Sequence, residues 1–334
     1  MRKFIKQLFL FITLAVICLN TFEYFLPYHY GNKNYTSKLS YLESNESKFN
    51  TLFFGSSLTD YSIYPPIIDS ILSDQNIVSF NFGVGGTSNP ESYYLTKKFI
   101  EQIDSSKFKN IILEISPIRN MSLINFKTTR NSYYHSTKQL SFSLSSIYEE
   151  DYPLRYKSKL AFKYSLHYLK NKINFSKLVY FRDPYLNVKK IENEHYNGFT
   201  STTIHNASIF TSKDYTERRN LAKTLENIDT SKPFSIHSNR LLEIYKLCEK
   251  KGIKLFFLIQ PKLSDYTFMN NIIGKLPNES IINVASVTKY PSFYDEENSL
   301  DPGHLNSKGA IIFSTVVANE LKKRLHLKGK SSVK

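Results

Sequence analysis

The sequence predicts an α/β fold: a three-layer, doubly wound parallel sheet of about five strands, with an N-terminal transmembrane helix and a middle insertion. Short apolar segments recur along the chain, as expected for strands that are covered on both faces. Segments with apolar residues at helical spacing lie between them, and this alternation is typical of a parallel sheet. A basic and then strongly apolar segment at the N-terminus indicates a helix in a membrane.

The composition narrows the classes of protein. The chain has 334 residues, enough for one large α/β domain with an insertion or for two modest domains. Its formal net charge is +15. A solvated lysine face explains this excess, and attraction to an anionic polymer or a membrane surface is the alternative. We expect no nucleic-acid partner, because the sequence contains no zinc-ligand spacing, RNA-recognition signature or concentrated basic helix.

Residues 1–26 are predicted to form an uncleaved signal anchor. Arg2, Lys3 and Lys6 precede an apolar run from 5 to 22, close to the ~20 residues that span a bilayer as a helix. Basic residues on the short side keep that end in the cytoplasm, so the rest of the chain is exported. The sequence therefore predicts a single-pass membrane protein whose bulk is extracytoplasmic, in the periplasm or at the cell surface.

Two alternatives remain for this segment. A cleaved signal peptide has the same basic and apolar pattern, but no small-x-small cleavage pattern follows the apolar run. A lipoprotein signal requires a small residue before its cysteine, and Ile17 precedes Cys18. A buried core helix agrees less well with the basic flank at the extreme N-terminus.

The first half of the expected domain, 49–330, follows a polar and aromatic stalk at 27–48. The first strand leads into a glycine–serine turn, and the third strand is near-continuously apolar, as expected for a strand that is covered on both faces. A helix begins after Pro65-Pro66, because proline is tolerated in the first turn of a helix. The predicted order is strand 51–54, helix 67–72, strand 77–82, helix 90–103 and strand 110–115.

Between 120 and about 235 this alternation fails. We interpret 121–235, rich in Tyr, Lys, Ser and Asn, as an insertion or cap over the carboxyl edge of the sheet, with one helical piece at 156–170. In α/β folds that edge is where ligands bind. The alternation then returns with helix 239–251, strand 253–259, a short strand at 281–285 and a final helix at 307–325.

The turn Gly55-Ser56-Ser57-Leu58 is the first candidate functional motif. It directly follows a buried strand, which puts a serine above the carboxyl ends of the strands and near the start of a helix. Free N–H groups at a helix start can bind an oxyanion. A serine that only caps a helix is the alternative interpretation.

The second motif is Asp301-Pro302-Gly303-His304, just before the last helix. Pro302 disfavours helical geometry at Asp301, and Gly303 permits a tight turn, so the two outer side chains can meet. The carboxylate can then orient the imidazole through one ring nitrogen while the other nitrogen faces a serine. A helix-capping aspartate beside an incidental histidine is the alternative.

With these two motifs the chain resembles the SGNH hydrolase superfamily, also called GDSL-like. Members carry a serine in a Gly-Asp-Ser-Leu-like turn after the first strand; here Ser56 replaces the aspartate, and the match implies that Ser57 is the nucleophile. The family's closing Asp-x-x-His motif matches Asp301 and His304. Its second motif, a glycine after a strand, matches Gly86, whose N–H would join that of Ser57 in the oxyanion hole. The resemblance covers residues 50–120 and 240–325 and implies an SGNH/flavodoxin-like fold.

One motif departs from the family. An asparagine after the third strand normally completes the oxyanion hole, and Ile118 stands at that register. Asn89, Ser116 or Asn120 could substitute, or the hole could use two backbone donors only. The strand end and the Asp-Pro-Gly-His-Leu-Asn ending are most similar to the membrane-anchored branch that acts on cell-envelope polymers, distantly like DltD and polysaccharide O-acetylation proteins.

The resemblance implies a serine esterase or O-acyltransferase that acts on acyl esters of an extracytoplasmic glycan or cell-envelope polymer. A membrane acyltransferase is a further expected partner, and the membrane is contacted through the N-terminal helix. A non-catalytic surface protein that binds glycan or a protein partner is the alternative. We expect no cofactor and no metal, since Ser88 stands where a dinucleotide loop needs glycine and the histidines lack metal-ligand spacing.

Overall fold

The computed structural model describes residues 1–29, 32–87, 91–115, 136–150, 152–172, 197–202, 210–226, 235–261 and 272–331. The chain divides into two compact units. The first comprises Met1–Thr36 and Asn120–Lys189, and the second comprises Ser37–Arg119 and Lys190–Lys334.

The described residues form α-helices and short strands. The helices are α1 (Arg2–Phe25), α2 (Lys33–Ser44), α3 (Ser57–Ser62), α4 (Pro65–Ile71), α5 (Glu91–Gln102), α6 (Thr137–Glu149), α7 (Leu154–Lys172), α8 (Ser212–Glu226), α9 (Ser235–Lys250) and α10 (Ser307–Ser331). The strands are β1 (Thr51–Gly55), β2 (Ser79–Gly83), β3 (Asn110–Glu114), β4 (Lys254–Ile259), β5 (Ile281–Asn283), β6 (Ser299–Asp301) and β7 (His304–Leu305).

In the first unit, α1 contains the most apolar segment. The stretch Arg2–Thr21 has a mean hydropathy of 1.8 and is long and apolar enough to cross a membrane. A signal sequence has the same length and composition. The expected N-terminal apolar helix is therefore present, at the position where the sequence predicts it.

The remaining described helices of this unit, α6 and α7, pack against each other. Ile147 and Tyr164 are buried at their contact, with Leu140 and Leu160 partly buried around them. Only α7 was anticipated inside the insertion. The sequence of α6 alternates serine with apolar residues, and this mixture weakens the helical pattern.

The second unit contains a five-stranded sheet in the order β2-β1-β3-β4-β5, with every neighbouring pair parallel. The predicted α/β class and five-stranded parallel sheet are confirmed, with strand ends within about two residues of the prediction. β1, β2 and β3 are buried along their whole length, which explains why they are apolar throughout. The strand order reverses between β1 and β3, and ligands bind at the carboxyl edge near such a reversal.

Helices of the second unit pack in two groups. α5 contacts β1 and α9, whereas α10 contacts α3 and α4. Phe313, Val317 and Leu321 are fully buried along α10, at the helical spacing that predicted this helix. This packing fixes α3, which begins directly at the end of β1.

Residues expected to form a stalk include α2. This helix crosses the boundary between the two units, and its residues from Ser37 onward belong to the second. The Lys38 side chain is 6% exposed and donates a hydrogen bond to Asp60 in α3. The second half of α2 is therefore part of the α/β unit, and the charge of Lys38 concealed this in the sequence.

Candidate active site

The turn after β1 carries two serines whose side chains make different contacts. Ser56 precedes α3 as its N-cap, and its hydroxyl accepts a hydrogen bond from the Leu58 N–H at 3.2 Å. Ser57 is the first residue of the helix, and its Oγ lies 2.7 Å from Nε2 of His304. The helix-capping role is thus carried by Ser56, which leaves the Ser57 hydroxyl for the imidazole.

A two-residue turn places the imidazole beside its carboxylate. β6 and β7 form an antiparallel hairpin in which Asp301 and His304 are paired across Pro302-Gly303. Nδ1 of His304 lies 3.0 Å from Oδ1 and 2.9 Å from Oδ2 of Asp301. Facing residues of an antiparallel pair lie close enough for such contacts. The turn therefore brings together the two side chains that the sequence predicts as partners.

The environment of Asp301 favours its ionised form. Burial raises the pKa of this carboxyl group, but hydrogen bonds from His304 and from the Gly303 N–H, at 2.6 Å, hold the pKa below its ordinary value. A carboxylate that stays ionised keeps the Nδ1 proton of the imidazole in place. Nε2 of His304 can then accept a proton from Ser57.

A ring from α3 covers one edge of the imidazole. The Tyr61 and His304 rings are 5.4 Å apart and nearly perpendicular. This arrangement restricts the rotation of His304 without occupying either ring nitrogen.

Glu114 is hydrogen-bonded to the residues on both sides of Ser57. It ends β3, is 2% exposed, and accepts hydrogen bonds from the Ser56 N–H and hydroxyl, both at 2.8 Å, and from the Thr59 hydroxyl at 2.7 Å. Gln260, just after β4, donates to Thr59 at 2.8 Å and to Glu114 at 3.3 Å. A buried carboxylate needs several donors, and here these donors belong to the residues around Ser57.

Gly55 is required by this arrangement. A Cβ at this position would collide with the side chains of Thr59 and Glu114. The glycine of the motif therefore serves the close approach of Glu114 to the turn, a reason that the sequence alone did not reveal.

A second buried polar group lies on the other side of α3. Lys38 Nζ donates to Asp60 Oδ1 at 2.8 Å and to the backbone oxygens of Asn81, Gly83 and Gly198 at 3.2, 2.6 and 2.7 Å. Lys38 therefore ties α3 to the end of β2. Four acceptors around one ammonium group offset much of the cost of its burial.

The loop after β2 carries the second predicted oxyanion donor. The Val84 N–H donates to the Gly55 carbonyl at 3.0 Å. The Thr87 hydroxyl has two acceptors within reach, the Val84 carbonyl at 2.7 Å and the Gly55 carbonyl at 3.2 Å. Gly86, between Val84 and Thr87, has a φ of 71°, which favours glycine. These bonds fasten the loop of Gly86 to the turn of Ser57. As the first residue of α3, Ser57 has an N–H without an acceptor inside the helix.

A solvent-open pocket adjoins the imidazole, with about 460 Å³ of empty space. His304 and Asp301 line it, and their side chains are 27% and 30% exposed, so a ligand in the pocket can reach them. Other lining residues are Leu58, Ser62, Tyr215, Arg218, Gln260, Pro261, Phe293 and Tyr294.

The structure brings together Ser57, Asp301 and His304. Hydrogen bonds to Gly55 also connect the loop of Gly86 to the turn that carries Ser57. The suggested substitute donors Asn89, Ser116 and Asn120, and Ile118 itself, lie outside the described residues. Sequence reasoning missed several residues of the site. The sequence pattern could have indicated Glu114 and Gln260, because each is a polar residue at the end of an apolar segment of a strand. No local pattern distinguishes Lys38, Tyr61 or Arg218 from other residues of the same type.

In the part of the chain that the structure describes, no three His, Cys, Asp or Glu residues are grouped to hold a metal ion.

His237, in α9, is buried, and this burial lowers its pKa to about 3. It is therefore neutral at ordinary pH.

No family model, curated protein or solved structure matches this chain significantly. The geometry of the site is therefore the basis for assigning a function.

Proposed function

We propose that the protein is a serine esterase or O-acyltransferase with a three-layer SGNH-type fold, which acts on acyl esters of an extracytoplasmic glycan or cell-envelope polymer. One observation carries this proposal: the hydrogen-bonded chain from Ser57 through His304 to Asp301. The sheet order 2-1-3-4-5 and the position of Ser57 at the carboxyl end of β1 support it.

The proposed reaction has two halves. In the first, Ser57 Oγ attacks the ester carbonyl carbon while its proton passes to Nε2 of His304. The carbon–oxygen bond to the leaving alcohol then breaks, and the alcohol takes that proton. In the second, water or a sugar hydroxyl attacks the acyl-serine in the same way, which restores Ser57 and releases an acid or a new ester.

Charge that develops on the carbonyl oxygen needs donors. The N–H groups of Ser57 and Gly86 are the proposed donors, on two segments that are fastened to each other through Gly55. Asp301 stabilises the imidazolium that forms during each proton transfer. The membrane-anchored orientation, with α1 in the bilayer and the α/β unit outside the cytoplasm, is part of the same proposal.

Active-site labelling tests this function. The full-length protein in neutral detergent is treated with a fluorophosphonate probe and assayed with 4-nitrophenyl acetate. We expect labelling and hydrolysis in the unaltered protein and in Ser44→Ala, an exposed helical serine. Both activities should be absent in Ser57→Ala. Equal labelling of Ser57→Ala and the unaltered protein would refute the proposal.

A non-catalytic protein that binds glycan or a partner in the same groove is the second candidate. The observation that favours it is Ile118, where the related enzymes have an oxyanion asparagine. The same experiment separates the two, because the probe reacts readily only with a serine whose attack is assisted both by a base and by oxyanion donors, and a binding groove without those donors would not be labelled.

A further inference from the structure

One wall of the pocket beside His304 comes from α8, a helix without a role in the proposed chemistry. Tyr215 and Arg218 line the pocket from this helix, one turn apart. The helix is anchored by Arg219, which donates to Asp295 at 3.1 Å, and by Ser212, which donates to Glu296 at 2.8 Å. Tyr215 and Arg218 are therefore presented from a fixed position.

Both side chains end in polar atoms that lack partners. The Tyr215 hydroxyl and Nη1 of Arg218 are shielded from solvent and make no hydrogen bond among the described residues. The neighbouring Arg219 also has one shielded atom without a partner, Nε, but its guanidinium is already committed to Asp295 through Nη1. An unpaired shielded donor is unfavourable, so an anion bound beside the Tyr215 hydroxyl and Arg218 Nη1 would supply the acceptor that the described residues do not.

The nearby carboxylates do not fill this role. Asp301 and Asp214 are the acidic groups closest in effect to Arg218. Asp301 accepts hydrogen bonds from His304 and from the backbone after Pro302. Asp214 accepts from the N–H and hydroxyl of Thr211, at 2.7 and 2.8 Å. Neither is hydrogen-bonded to Arg218, although each acts on it electrostatically.

We propose that the substrate carries a carboxylate or a phosphate next to the reacting ester, and that Arg218 and the Tyr215 hydroxyl bind this anion. A guanidinium offers parallel N–H donors that match both oxyanions, and a phenol adds another donor. The pocket is open to solvent, so the rest of a large substrate can extend beyond it while the anion lies at this wall. The inference rests on the proposed function and assigns Arg218 a role in specificity, not in the proton transfers.

Matched esters test the inference in catalysis. Mono-4-nitrophenyl succinate carries its charge on the acyl side, and 4-nitrophenyl acetate is its neutral counterpart. Acetyl esters of glucuronate and of glucose 6-phosphate carry the charge on the alcohol side, and acetyl glucose is neutral. The measured quantity is the ratio of kcat/KM for the charged ester to that for its neutral counterpart.

For at least one charged ester, we expect the ratio to fall about 10- to 100-fold in Arg218→Gln. A fall of this size corresponds to the loss of one charge-assisted hydrogen bond. Arg218→Lys should retain part of the preference, because the charge stays but the planar fork is lost. Lys213→Gln, which removes an exposed charge from the same helix, should retain all of it. The ester that responds identifies the side and the type of the anion. Ratios in Arg218→Gln that equal those of the unaltered protein would overturn the inference.

A binding measurement separates this inference from the proposed function. Succinate, glucuronate or inorganic phosphate is added to full-length protein in neutral detergent, at constant ionic strength, and the midpoint of thermal unfolding is recorded. We expect one of these anions to raise the midpoint in the unaltered protein, Ser57→Ala and Lys213→Gln, but not in Arg218→Gln.

The possible failures are distinct. Arg218-dependent anion binding without ester hydrolysis would sink the proposed function and leave the anion site standing. Hydrolysis that needs Ser57, with no Arg218-dependent preference or binding, would sink the anion site and leave the function standing. Equal midpoint shifts in all variants would show only general attraction to a basic protein, which also contradicts the inference.

Discussion

The Ser57 hydroxyl and the His304 imidazole lie 2.7 Å apart, although 247 positions separate them in the chain. The contact forms because α3, which begins at the end of β1, packs against β7 and against α10. Burial of the apolar face of α10 thereby fixes the hairpin that carries the imidazole. This contact and the buried ionisable groups of the α/β unit lead to four predictions.

Replacing Asp301 by Asn should lower kcat for ester hydrolysis by about 10³- to 10⁴-fold, since the amide no longer holds the imidazole in the required tautomer. The Gly303 N–H can still donate to the Asn oxygen, so the turn should persist. Glu297→Gln, at an exposed carboxylate before the same hairpin, is the matched control. A rate in Asp301→Asn close to that of the control would contradict the assigned role.

Glu114→Gln should reduce both stability and activity. The carboxylate accepts hydrogen bonds from Ser56, Thr59 and Gln260, and the amide would direct its own donor at one of these donors. We expect a loss of about 1–3 kcal/mol in the free energy of unfolding. kcat should fall as well, because the turn of Ser57 loses support. Thermal unfolding and the esterase assay measure the two effects, with the exposed Glu243→Gln as control. An unchanged unfolding midpoint would contradict the role of these hydrogen bonds in holding the turn.

Lys38→Met should destabilise the α/β unit by about 3–5 kcal/mol, because it leaves the Asp60 carboxylate buried without its cation. The double variant Lys38→Met/Asp60→Asn should be more stable than Lys38→Met alone, since it removes the unpaired charge as well. Chemical denaturation of the unaltered protein, the single variants Lys38→Met and Asp60→Asn, and the double variant gives the coupling energy of the pair. Simple additivity of the two single variants would mean that the pair does not interact.

His237 should make the protein sensitive to mild acid. Burial lowers its pKa to about 3 in the folded state, whereas the unfolded value is near 6.5. Between these values the unfolded chain binds more protons, so stability falls as pH falls from 6.5 towards 3. At pH 5 the loss from this residue is about 2 kcal/mol relative to neutral pH.

Comparison with His237→Gln isolates this contribution. The pKa of Asp69 is raised to about 6 by burial, which acts in the opposite direction, but Asp69 is present in both proteins. The variant should lose less stability than the unaltered protein between pH 7 and pH 5. Parallel stability–pH curves for the two proteins would contradict the prediction.

Local patterns in the sequence were sufficient for the strands and most helices of the α/β unit. β1, β3 and β4 are strands of five or six residues with an apolar run inside, and Gly55, Glu114 and Gln260 mark where these runs end. α10 has apolar residues at helical spacing. The turn before α3 and the Asp301–His304 turn were predicted from glycine and proline chemistry. These signals depend on neighbours in the chain, so they are visible without the fold.

Other features depend on residues that are distant in the chain. Glu114 supports a turn 58 positions earlier, and Lys38 reaches the carbonyl of Gly198, 160 positions later. The helices α6 and α8 lie in polar sequence, where only tertiary packing reveals which face is buried. Arg218 is one of many basic residues, and nothing local distinguishes it.

By itself, the sequence determined the α/β class and the apolar N-terminal helix, because these follow from hydrophobic periodicity. It also singled out Ser57, Asp301 and His304 as candidates, through the chemistry of their turns and the resemblance to a known family. Only the tertiary structure decided that Ser56 caps the helix while Ser57 faces His304, and that the buried charges of Glu114 and Lys38 hold that turn in place. The physical reason is that a buried charge requires several partners at once, and the partners are collected from separate strands only when the sheet has formed.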